Sequence, residues 1–263
     1  MLILLSPAKT LDFETAPRIN QVSTPAFLDD SEKLVSTLKK YKPKQLGKLM
    51  SISENLSELN ADRFSTWQLP FPDGVARPSI QAFRGDVYLG LDADTMKLAD
   101  IKRAQKHIRI LSGLYGVLKP LDMMLPYRLE MGTSLKTRKG KNLYEFWGTK
   151  ITDSLNAELS GFDNPLVINL ASNEYFKAVK KGLLEAPLIE PVFKDEKESG
   201  YKVISFFAKK ARGAMARYLV ENKCKTENDL MKFTGLGYKY NKSESSEGRP
   251  VFLRSAKAAQ SYT

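Results

Sequence analysis

The run MKLADIKRAQKHIRILSGLYGVLKPLDMMLPYRLEMG, residues 96–132, decides how the rest of the chain is read. Its first half carries Ile101, Ala104, Ile108 and Leu111 at helical spacing, which predicts an amphipathic helix with these residues toward a core. Lys102, Lys106 and Arg109 then fall together on the opposite side. The helix is expected to end at Gly113, which can take the left-handed conformation that closes many helices. Gly113 and Gly116 bend the chain, and Pro120 and Pro126 stiffen it. Asp122, Tyr127, Arg128 and Glu130 lie on this braced stretch. Such polar density belongs to a functional loop as readily as to a rigid connector.

Outward from that stretch, composition sets the limits. The 263 residues suffice for one large domain or two small ones, and 42% hydrophobic with 27% charged residues is ordinary for a globular chain. No apolar run is long enough to cross a bilayer, and MLILLSPAKT lacks the basic start and cleavage site of a signal peptide. A cytoplasmic location with no membrane partner is expected. One cysteine, Cys224, allows no internal disulfide, and with a single histidine, His107, the chain lacks the ligands for a Cys/His zinc site. His107 sits among Lys and Arg, with nothing nearby to orient it as a base, so it reads as structural or as a minor polar contact. No metal and no cofactor are expected. The formal net charge of +11 favours anionic partners, nucleic acid first and phosphorylated substrates or anionic membrane after it.

Residues 2–5 read as a buried strand ending at Ser6-Pro7, with Lys9 and Thr10 projecting from its end, where α/β sheets gather ligands. Residues 14–28 read as a loop and a helix follows from about Asp29. Residues 43–64 suggest two short helices around Ser51-Ile52-Ser53, a helix-hairpin-helix-like element whose backbone N–H groups could meet a DNA phosphate. Serines stand where glycines are usual in such a turn; Ser53 could instead cap the second helix, and Lys44 and Lys48 flank it. Residues 87–89 read as a β-prone run, and Lys136, Arg138, Lys139 and Lys141 as a basic exposed loop or hairpin. Residues 166–170, LVINL, are the clearest buried strand; Asn169 within it must be hydrogen-bonded or face a polar cleft. Ser172, Asn173 and Glu174 then start a helix, with Tyr175, Phe176 and Lys177 behind them. Residues 188–193 and 201–207 read as a strand pair, and 208–219 as a helix that gathers Lys209, Lys210, Arg212 and Arg217. The tail, 243–248 and 255–263, reads as mobile at its end.

Taken in order, MLILLSPAKTLDF, LSGLYGVLKPLD, PYRLEMG, FWG, NLASNEYFK, FKDEK and FFAKKARG resemble the bacterial YaaA family of peroxide stress resistance proteins, from Met1 to about Phe252. The resemblance implies a cytosolic protein linked to survival of hydrogen peroxide and to limiting free iron. It also implies an α+β fold with a helix-hairpin-helix element and a positively charged cleft for double-stranded DNA. The expectation is a single domain over 1–263, a mixed β-sheet flanked by helices, with the hairpin at 43–64, in a monomer.

The residues leave two functions open. In a non-enzymatic DNA binder, Lys9, Lys44, Lys48, Ser51, Ser53, Arg109, Arg128, Lys177, Lys209, Lys210 and Arg212 would meet phosphates, largely without sequence preference. In an enzyme acting on a nucleic acid or a phosphorylated small molecule, Glu130 or Glu174 would be the acid/base, Lys9 a phosphate clamp or nucleophile, and Asn169 and Tyr127 polar partners. A third possibility is that these polar groups only knit the core.

Overall fold

The computed structural model describes residues 1–262. Its centre is strand β1, Leu2–Leu5, whose four residues are all buried. Side chains hidden on both faces are what an interior parallel strand requires. On one side of β1 lies β2, Ile108–Ser112, followed by β3, Gly116–Leu118. On the other side lie β4, Val167–Asn169, and β5, Leu188–Ile189. The sheet order is therefore β3-β2-β1-β4-β5, parallel throughout except for the β2–β3 hairpin. Ile3 pairs with Ile108 on one flank and with Ile168 on the other.

A second sheet, β7-β6-β9-β8, is built from β6, Val192–Lys197, β7, Gly200–Lys202, β8, Lys239–Ser246, and β9, Arg249–Arg254. The helices that matter here are α1, Leu28–Leu38, α2, Pro43–Met50, α3, Glu54–Thr66, α4, Asp86–Leu91, α5, Leu98–His107, α6, Lys150–Leu159, and α7, Ser205–Glu221. One continuous hydrophobic core runs from Met1 to Phe252. The architecture is mixed α+β, sheets flanked by helices, as the sequence suggests.

Several local readings are corrected. The helix expected to reach Gly113 stops at His107, and Ile108–Ser112 is a strand. IRILS satisfies both periods, but as a strand it lies between β1 and β3 with all five residues buried. Residues 87–89 belong to α4, not to a strand. This helix crosses α7 at two glycines: a Cβ on Gly90 would stand 1.9 Å from the Lys210 carbonyl oxygen, and one on Gly213 1.7 Å from that of Val87. The stretch 188–193 is split at Pro191, leaving β5 in the first sheet and β6 in the second. Phe206 and Phe207 open α7 instead of extending a strand. Residues 243–248 form the end of β8 and its turn into β9, and Ser255 caps the helix Ala256–Gln260 through the Ala258 N–H at 3.1 Å. Thr263 lies outside the described residues.

Candidate functional site

The parallel strands β1, β2 and β4 end side by side, and each end is tied down by a short side chain. After β1, Ser6 Oγ accepts the Ser172 N–H at 2.8 Å, and the Ser6 carbonyl accepts the Tyr88 hydroxyl at 3.1 Å. At the end of β2, Ser112 Oγ lies 2.6 Å from the Tyr127 hydroxyl, which fastens the loop after Pro126 across the strand ends. After β4, Asn169 Oδ1 accepts the Ala171 N–H at 3.0 Å, and its amide donates to Glu190 at 3.2 Å. Asn169 is thus a lock on the turn beyond β4. Burial raises the Glu190 carboxyl, but hydrogen bonds from Lys181 and Asn169 outweigh it and leave the pKa lowered.

Above these ends sits an ion triad. Lys9 Nζ is 3.0 Å from Glu130 Oε2, and Arg128 Nη2 is 3.0 Å from Glu130 Oε1. Glu174 Oε1 accepts the Gly132 N–H at 2.9 Å, and the Glu174 carbonyl accepts the Tyr144 hydroxyl, so this residue holds the 130–132 segment in place. Lys177 Nζ lies 4.9 Å from the Tyr144 ring. Burial pushes the phenols of Tyr88, Tyr127 and Tyr175 well above their ordinary pKa, so all three stay protonated at neutral pH.

Arg109 departs from its expected place. It projects from β2 with only 3% of its surface exposed, and its guanidinium is forked onto both oxygens of Glu158 on α6. Its Nη1 also donates to the Gln105 carbonyl at 3.0 Å. It is a buried clamp between sheet and helix, closed to an external phosphate. Asp122 is likewise structural: Ser23 donates to it at 2.6 Å and the Lys119 N–H at 2.8 Å. His107 Nδ1 meets the Met1 carbonyl at 2.9 Å, and burial lowers its pKa, with that hydrogen bond opposing.

The remaining cations are distributed over the surface. Lys44 and Lys48 are exposed on α2, beside the turn 51–53. Ser51 takes the left-handed conformation at φ 53° and closes α2, and Ser53 Oγ accepts the Leu56 N–H at 3.4 Å to open α3. Lys209 and Lys210 lie on the first half of α7. Arg212, half-buried on the same helix, has neither ion pair nor hydrogen bond among the described residues.

A further basic concavity lies elsewhere. A cavity of about 730 Å³ between α1 and the 136–140 turn is lined by Lys33, Lys40, Lys136, Arg138 and Lys139, against the single carboxylate of Glu32. Asp30 builds it. This buried carboxylate takes Lys139 at 2.8 Å, Lys150, and Lys33 at 3.7 Å, which docks the basic turn onto α1. Lys40, Lys136 and Arg138 have no ion-pair partner among the described residues. The 136–141 turn reads as basic in the sequence, but nothing there shows that Asp30 joins it to α1.

The fold and these sites define an α+β protein with a parallel-strand edge of paired charges and a separate basic groove. A family model described as "Peroxide stress protein YaaA" matches residues 1–244, and the chain belongs to that family. Among its relatives, a UPF0246 protein of Idiomarina loihiensis is 54% identical over 97% of this chain and 98% of its own. Another from Marinomonas sp. is 53% identical over 97% of each chain, and one from Shewanella pealeana is 54% identical over 97% of this chain and 99% of its own. Among the described residues, no helix is long and apolar enough to cross a membrane.

Proposed function

We propose that this chain serves the peroxide stress response by binding duplex DNA in the cytoplasm, through phosphates and without reading sequence. The groove between α1 and the 136–140 turn carries this reading: of the five cations that line it, Lys33 and Lys139 are paired with Asp30, and the other three lack an ion-pair partner among the described residues. Unpaired cations on a concave surface raise the local concentration of a polyanion and release its counterions on binding. Lys139 adds an ammonium 5.0 Å from the Phe146 ring, within the same wall.

The α2–α3 hairpin supplies a second, weaker contact. Lys42, Lys44 and Lys48 line its cavity together with Glu54 and Glu58, so its net charge is smaller than that of the groove. The backbone at Ser51 and Ser53 would seat one phosphate, with Lys177, Lys209 and Lys210 as outlying contacts. No base-reading element is invoked, so unrelated duplex sequences are expected to bind alike.

Gel-shift titrations of two duplexes of unrelated sequence, at low and at moderate salt, test the reading. Equal affinities that collapse together with salt support it. Strong preference for one sequence, or no binding at low salt, overturns it.

A further inference from the structure

The ion triad at the carboxyl edge of the first sheet is not needed for that function. β1 is flanked by β2 and by β4, and the chain passes first to one side and later to the other. Where a parallel sheet changes direction in this way, the loops beyond the strand ends diverge and leave a crevice for a ligand. Lys9, Glu130 and Arg128 occupy that position.

The triad has the form of a seated ligand. One carboxylate oxygen of Glu130 faces Lys9 and the other faces Arg128, each at 3.0 Å. The exposure is graded, with the side chains of Lys9, Glu130 and Arg128 62%, 25% and 16% exposed, so the lysine forms an open mouth and the arginine a floor. Arg128 is also under-used. Its Nε–H is sealed from solvent and has no acceptor among the described residues. Leaving a buried donor unpaired costs its desolvation without return, and most such groups in folded proteins are paired. The adjoining cavity is only about 10 Å³, lined by Tyr127, Tyr175 and the triad, which is room for one water at most. Anything larger enters only if the Glu130 side chain leaves.

Two further features fit. The backbone around Glu130 is fastened by Pro126 and by the Gly132–Glu174 hydrogen bond, so the side chain can swing while the loop stays. Arg212 is held partly out of water without an anion of its own, and burial lowers its pKa. α7 runs back along the sheet: its last turn lies near Met1, where Arg103 donates to the Val220 carbonyl at 3.1 Å. Its first half, with Arg212 at the inner end, therefore lies toward the carboxyl edge.

We propose that Glu130 is a resident substitute for the anionic group of a small ligand, a carboxylate or a phosphate, which displaces it from the seat between Lys9 and Arg128. The exchange trades one anion for another on a cation pair already assembled. This site is independent of the DNA reading, since Glu130 and Arg128 lie outside the basic groove.

Inorganic phosphate and acetate are the probes, titrated separately into the full chain while the Arg128 Nε–H signal and the backbone amide signals of Leu129, Glu130 and Gly132 are followed by NMR, the amides serving also in the Arg128→Lys variant. Glu130→Gln keeps the shape and removes the competing charge, so one of the two anions is expected to bind about tenfold more tightly than to the wild type. That anion should move the Arg128 signal, and Arg128→Lys should abolish the effect; which anion responds identifies the ligand group. Glu130→Asp, one methylene too short to span both cations, is expected to tighten binding in the same direction if the Gln variant folds poorly. Absence of saturable binding in the folded variants, or binding indifferent to Arg128→Lys, overturns the proposal and leaves the triad as a structural ion pair.

Discussion

Arg109 shows how one residue changes meaning between sequence and structure. On a continued helix it would join Lys102 and Lys106 on a solvated face. On β2 it is buried and forked onto Glu158. Breaking a buried pair strands the partner, so Arg109→Gln is expected to lower unfolding free energy by about 2–3 kcal/mol, measured by urea titration, with DNA affinity unchanged. A loss of DNA affinity at unchanged stability would return Arg109 to the surface. Asp30 is the converse case, an acid with no distinguishing mark in the sequence that organises three lysines. Burial opposes its charge, but hydrogen bonds from Lys139 and Lys150 outweigh this and hold its carboxyl below the usual range. Its stabilising contribution is therefore complete above the unfolded carboxyl value of about 3.9 and is lost as pH falls through the lower folded value. The wild type should lose stability as pH falls below about 4 and through the lower folded value, and Asp30→Asn should lose less over the same interval. Identical pH profiles would exclude the role given to Asp30.

At the scale of elements, legibility follows how many interpretations each segment allows. LILL and LVINL read as buried strands, and Leu2–Leu5 and Val167–Asn169 are strands. Ser53 is legible in part: the sequence leaves it a phosphate contact or a cap, and its hydroxyl caps α3. IRILS is not, since its apolar residues satisfy a helical period and a strand period together; the open flank of β1 decides, and that is a tertiary fact. The α4–α7 crossing is equally hidden. A lone glycine inside an apolar run carries no local message, yet Gly90 and Gly213 let two backbones touch. Gly213→Ala would place a methyl into the Val87 carbonyl and is expected to cost about 3 kcal/mol, read as a fall in Tm. A neutral effect would mean that the helices separate freely. The candidate site is partly legible: Lys9, Arg128 and Glu130 stand out as polar groups at a strand end and on a braced loop. Their sharing of one carboxylate is not, because the partners come from distant segments.

For the whole molecule, the net charge of +11 matters less than where it is left unpaired. Much of the positive charge near the sheet is answered by Glu130, Glu158 and Glu190. In the groove over Asp30, Lys40, Lys136 and Arg138 have no such answer among the described residues. The chain belongs to a peroxide stress family, and the proposal that it protects by occupying DNA rests on this surplus of charge. The decisive measurement is the slope of log affinity for duplex DNA against log salt concentration, for the wild type and for the Lys136→Gln/Arg138→Gln double variant. Each phosphate that no longer meets a cation should flatten the slope by about 0.9, so the double variant is expected to bind more weakly and to be shallower by about 1.8. A folded double variant with the wild-type slope and affinity would contradict the account.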